Sequence, residues 1–73
     1  MLKVKLLNDG GYGDMENVKF PVIVEGEDFE GQGCDVLGSE LIRIGAGNDN
    51  DVWDPDYRYH FYYGKECEVI NER

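Results

Sequence analysis

Glycine interrupts this chain so often, and its apolar residues so rarely recur at helical spacing, that no segment offers a long regular helix. The sequence holds 10 glycines, gathered at residues 10–13, 26–33 and 45–47, with others at 38 and 64. Each one inside a helix costs about 1 kcal/mol relative to alanine. Between these clusters lie short stretches rich in β-branched and aromatic residues, and their apolar positions recur every second residue. That period belongs to half-buried strands. One turn of helix at Gly38-Ser39-Glu40 is the most the pattern allows.

Leu2, Val4 and Leu6 alternate with Lys3 and Lys5, which reads as a first strand. The run Asn8-Asp9-Gly10-Gly11-Tyr12-Gly13-Asp14 is loop chemistry. Its glycines provide positive φ angles, and its Asn and Asp side chains bond nearby backbone. Val18, Phe20, Val22 and Val24 then share one face of a second strand, with Pro21 placing it at an edge or bulge. Residues 26–33 form a second, polar loop around Phe29. Cys34 to Leu37 and Leu41 to Ile44 read as a hairpin turning at Gly38-Ser39, since glycine at the first central position suits a type II′ turn. Residues 45–56 form a third loop. Tyr57, Tyr59, Phe61 and Tyr63 alternate with Arg58, His60 and Tyr62 in an aromatic strand. A turn at Gly64-Lys65-Glu66 returns it through Cys67 and Val69, with Phe61 opposite Val69 and Tyr63 opposite Cys67.

The expected fold is therefore all-β or mainly β, a small antiparallel sheet of five or six strands or a partly open barrel. Its order of strand, long loop, strand, loop and hairpins is similar to the SH3-like barrels. The aromatic and proline pocket of a peptide-binding SH3 domain is missing from the first loop, where only Tyr12 stands. A chain of 73 residues holds one domain, 1–73. At this size roughly 60% of the unfolded surface is buried, which leaves little room for an internal ligand cavity.

Charge narrows the partners. Sixteen acidic residues against seven basic ones give a net charge of -9. Phosphate contacts need the opposite sign, so direct nucleic-acid binding is not expected, and an anionic membrane surface repels such a chain. No apolar run approaches the roughly 20 residues that cross a bilayer, and the alternating start does not resemble a signal peptide. A cytoplasmic location is expected. A basic protein surface would be attracted and steered in, in a salt-dependent way.

The residues offer no catalytic constellation. Ser39 is the only serine and His60 the only histidine, and the chain has no threonine. A Cys-His nucleophilic pair needs only proximity, but no local signature supports one. Cys34, His60 and Cys67 supply three soft ligands, one short of a closed structural zinc site. The oxygen-rich run 48–56 puts Trp53 and Asp54 where a calcium loop beginning at Asp49 needs an oxygen ligand and a glycine. Neither metal nor cofactor is expected. Cys34 and Cys67 read as reduced, buried thiols; the alternative is a disulfide enclosing the 32 residues 35–66.

What remains is surface. Asp49, Asp51, Asp54 and Asp56 surround Trp53, with Tyr57 close behind, and together they form the expected partner-binding group. Aromatic anchors ringed by carboxylates suit an interface to a basic partner. The other reading of Trp53 is that it caps a small core. Glu25, Glu27, Asp28 and Glu30 surround Phe29, which is read as a core cap. In size, charge and lack of enzyme motifs the chain resembles small acidic proteins that phages and other mobile elements encode to modulate host factors. That resemblance implies a non-enzymatic binding protein, possessing a monomeric or weakly self-associating form and acting in the host cytoplasm. The alternative is an assembly module that pairs its exposed strand edges as a homo-oligomer.

Overall fold

The computed structural model describes residues 2–47 and 53–72. Its elements run β1 (Leu2–Leu6), β2 (Val22–Phe29), β3 (Gly33–Leu37), α1 (Gly38–Arg43), β4 (Arg58–Tyr62) and β5 (Cys67–Glu72). The strands form one antiparallel sheet in the order β4-β3-β2-β1-β5. It curls into a half-barrel, so the mainly β fold expected from the residue pattern is the one observed.

β2 belongs to both halves of the curl. Its first part, from Val22 to Gly26, pairs with β1, and its last part, from Glu27 to Phe29, pairs with β3. Gly26 sits at the changeover, where a Cβ would lie 3.0 Å from the Asp35 carbonyl oxygen. Val4, Leu6, Val24, Cys34, Val36, Leu41, Phe61 and Cys67 fill the concave side and are essentially fully buried. Removing one large apolar side chain of this kind from water contributes about 1.5–3 kcal/mol. Met15, Val18, Ala46 and Trp53 extend this core from the loops.

Four local expectations are corrected. First, the hairpin at Gly38-Ser39 is instead the helix α1, six residues long. Its opening N–H groups are satisfied from a distant part of the chain: Gly38 N–H donates to the Tyr57 carbonyl at 2.8 Å and Ser39 N–H to the Pro55 carbonyl at 2.9 Å. Gly38 is needed there because a Cβ would collide with the Asp54 carbonyl oxygen. The far end closes at Gly45, at φ 115°, with Gly45 N–H donating to Ile42 and Ala46 N–H to Leu41. That is a glycine-based helix stop. Leu41 anchors the turn in the core, and Glu40 accepts from the Glu25 N–H at 3.0 Å, tying helix to sheet.

Second, β2 begins only at Val22 and runs through Phe29, half of the polar segment that reads as a loop. Val18 and Phe20 lie before it, beside the cis Phe20–Pro21 bond. The turn between β2 and β3 is confined to residues 30–32, with Glu30 and Gly31 at positive φ. Third, β4 and β5 form no hairpin ladder. Tyr63 does bridge Cys67, but Val69 pairs with Val4 rather than Phe61, because β5 joins the opposite edge of the sheet. Fourth, Gly10 and Gly11 take positive φ in the first loop, while the third such residue is Asp14, not Gly13. Asn8 and Asp9 side chains accept from the Gly10 and Gly11 N–H groups there, as loop chemistry predicts.

Candidate partner-binding surface

Strand alternation divides the residues of β2, β3 and β4 between two faces. Cys34, Val36 and Phe61 point into the core. Glu27 and Phe29 from β2, Asp35 from β3, and Arg58, His60 and Tyr62 from β4 share the convex side. The pairing Phe29↔Gly33↔Tyr62 forms one cross-strand row on this side, and Glu27↔Asp35↔His60 forms the next.

Gly33 shapes the surface. A Cβ there would collide with the Phe61 carbonyl oxygen and lie 2.9 Å from His60 Nε2, so the imidazole folds across a bare stretch of strand. The ring sits edge-on to Phe29, with centroids 5.2 Å apart, and edge-on to Tyr62 at 4.6 Å. Asp35 orients it through a 3.0 Å contact between Oδ1 and Nδ1. Phe29 is 42% exposed and Tyr62 52%. Phe29 is thus a surface ring and not the core cap that its sequence position indicates.

Carboxylates frame these rings. Glu27 pairs with Arg58. Asp28, paired with Cys34 and so on the other side of β2, accepts the Tyr63 hydroxyl at 2.6 Å and the Gly31 N–H at 3.0 Å. Partial burial, and then the bond to Asp28, push the Tyr63 hydroxyl well above its ordinary pKa. Glu30 is exposed on the adjoining turn. The other half of the convex side differs, because Lys3 and Lys5 of β1 stand opposite Glu25, Ile23 and Glu68 and give a mixed surface. On the β2–β3–β4 half Glu27, Glu30 and Asp35 stand against Arg58, a surplus of carboxylate.

The partner-binding residues expected from the sequence are only partly brought together. Asp49 and Asp51 lie outside the described residues. Trp53 is 8% exposed and stacks on Tyr59, with centroids 4.6 Å apart, so it belongs to the core and offers little surface to a partner. Asp54 and Asp56 are exposed, and Asp54 Oδ1 accepts the Asp56 N–H at 2.9 Å, shaping the turn into β4. Tyr57, 58% exposed, leans edge-on against Tyr59 at 4.8 Å and is the outward aromatic of that group. The Asp54, Asp56 and Tyr57 group lies at the start of β4, and the Phe29, His60 and Tyr62 row toward its end.

Sequence reasoning missed Phe29, Asp35, His60 and Tyr62 as one surface. The alternation in β4 did separate Arg58, His60 and Tyr62 from the core residues. What hid the surface was the placement of Phe29 in a loop.

The soft donors do not converge. His60 is on the convex side, while Cys34 and Cys67 are buried in the core with Sγ atoms 3.6 Å apart. Burial raises both thiol pKa values. Among the described residues no group of three or more His, Cys, Asp and Glu is arranged to hold a metal ion. No family model, curated protein or solved structure matches this chain.

Proposed function

We propose that this protein is a non-enzymatic binding protein whose acidic convex surface engages a basic surface of another protein. The observation that carries the reading is the pairing of exposed rings with surplus carboxylate on the β2–β3–β4 half, in a chain of net charge -9. Phe29 and Tyr62 supply apolar contact, and Tyr57, packed on Tyr59, lies apart from them at the start of β4. Glu27, Glu30, Asp35, Asp54 and Asp56 supply the field that draws in lysines and arginines. A partner surface that otherwise holds nucleic acid fits this chemistry, with carboxylates standing where phosphates would. In that role the protein blocks or redirects its partner, as a phage-type modulator of a host factor does.

The test is capture from a bacterial lysate at about 50 mM and about 500 mM salt, by the wild type and by a variant carrying Glu27→Gln, Glu30→Gln and Asp35→Asn. The expected result is a discrete basic protein, held at low salt, released at high salt and not retained by the variant. Retention indifferent to salt and to the three substitutions overturns the reading.

A second reading has one observation in its favour. β5 is the outer strand on its side of the sheet, and Val69 and Ile70 on it are exposed. Edge pairing of two copies along β5 would cover them. Sedimentation of the pure protein at micromolar concentration separates the two, since a dimer without any partner supports assembly.

A further inference from the structure

We propose that Cys34 and Cys67 are a modification site, closing to an intramolecular disulfide when a low-molecular-weight disulfide such as oxidised glutathione reaches them. The two residues are far apart along the sheet, on β3 and β5, with β2 and β1 between them. The curl of the half-barrel brings them together, with their Sγ atoms 3.6 Å apart and neither residue exposed to solvent. Both are free thiols. Cys67 is held in place by its Sγ donating to the Phe61 carbonyl at 3.3 Å and by its pairing with Leu6.

Access comes through β5. It is an edge strand, paired on one side to β1, and the pairing carries a register shift at Lys3/Val4. Edge strands open locally at lower cost than the whole fold. Opening uncovers Cys67 and the Cys34 thiol beneath it. In the closed state burial holds both thiols protonated, so reaction proceeds from the opened form.

The Cys67 thiolate attacks glutathione disulfide, forming a mixed disulfide and releasing one glutathione. The Cys34 thiolate then attacks the Cys67 sulfur and expels the second glutathione. Each thiol loses its proton to solvent, and the two electrons given up by the protein reduce the glutathione disulfide. A glutathionyl group does not fit the filled core, so β5 closes only after the second step. The new bond ties β3 to β5 across the interior and encloses residues 35–66, which restricts the unfolded chain.

The native 73-residue chain is incubated with oxidised glutathione and followed by non-reducing mass spectrometry and thermal unfolding. The expected product is a monomer lighter by two hydrogens, with Cys34 linked to Cys67 in its peptide map. Its Tm lies about 10–20 °C above that of the reduced protein, and a reductant reverses the shift. Three results overturn the proposal: thiols still reduced after prolonged exposure, a stable glutathione adduct or disulfide-linked dimer as end product, or a linked monomer no more stable than the reduced one.

Discussion

The Tyr12 hydroxyl donates to the His60 carbonyl at 3.0 Å and accepts from the His60 N–H at 3.1 Å. One side chain from the first loop thus satisfies both backbone groups of a residue on the outer edge of β4. Two positions along, Glu66 does the same for Tyr62, whose N–H donates to Glu66 Oε1 and whose carbonyl accepts from the Glu66 N–H, each at 3.0 Å. The β4 edge is therefore occupied, which removes a template for unwanted strand pairing.

Replacing Tyr12 with Phe keeps the ring contacts to Tyr59 and Phe61 and removes only the hydroxyl. The expected cost is about 1–3 kcal/mol, because the His60 backbone groups lose a partner in a part-buried place. Urea denaturation measures it. The variant should also self-associate more than the wild type, which light scattering reads.

Two glycines separate backbone need from loop convenience. Gly33→Ala drives a methyl group into the Phe61 carbonyl and against His60, and should destabilise by more than about 2 kcal/mol while disturbing the convex ring row. At Gly13 nothing lies within 4 Å of a new Cβ, and its φ is not positive. Gly13→Ala should be neutral or stabilise by about 0.4–1 kcal/mol, through the unfolded chain. Thermal unfolding of the two variants side by side checks both.

Stability should fall on each side of neutral pH, for opposite reasons. The hydrogen bond from Arg43 holds the Glu40 carboxyl below its ordinary value, opposed by partial burial and helped by the Glu25 N–H. The unfolded chain then takes up the proton first, so this contribution is present above pH 4.5, the ordinary value, and is lost as pH falls through the folded value. Burial raises the pKa of Cys34, Cys67, Tyr12 and Tyr63. For these the unfolded chain loses protons first, so their contribution is present below pH 9.0, the ordinary thiol value, and declines as pH rises beyond it. A Tm profile should show a plateau between about pH 5 and about pH 8, and Glu40→Gln should flatten its acid limb.

Much of this architecture is legible in the residues because strand alternation is a local signal. Leu2, Val4 and Leu6 announce β1, and Tyr59 and Phe61 announce the inner side of β4. The helix was hidden because its first N–H groups are capped by Pro55 and Tyr57, partners that no local pattern names. Gly45 as a helix stop was its one local sign. The convex surface was hidden for a related reason. Phe29 joins His60 and Tyr62 only through a register across three strands, and its acidic neighbours resemble loop residues until β2 is seen to continue through them. Trp53 shows the converse, since its acidic sequence neighbours suggest a surface role while its stacking on Tyr59 places it in the core.

In the proposed role one surface does the binding, through both charge and exposed rings. Its most direct test is titration calorimetry with the captured basic partner across a salt series, using the wild type and the double variant Phe29→Ala/Tyr62→Ala. Affinity should fall at least about ten-fold between low and high salt, and the double variant, folded as the wild type is, should lose about 2 kcal/mol or more of binding free energy. Affinity that stays level with salt, or a double variant that binds as tightly as the wild type, contradicts it.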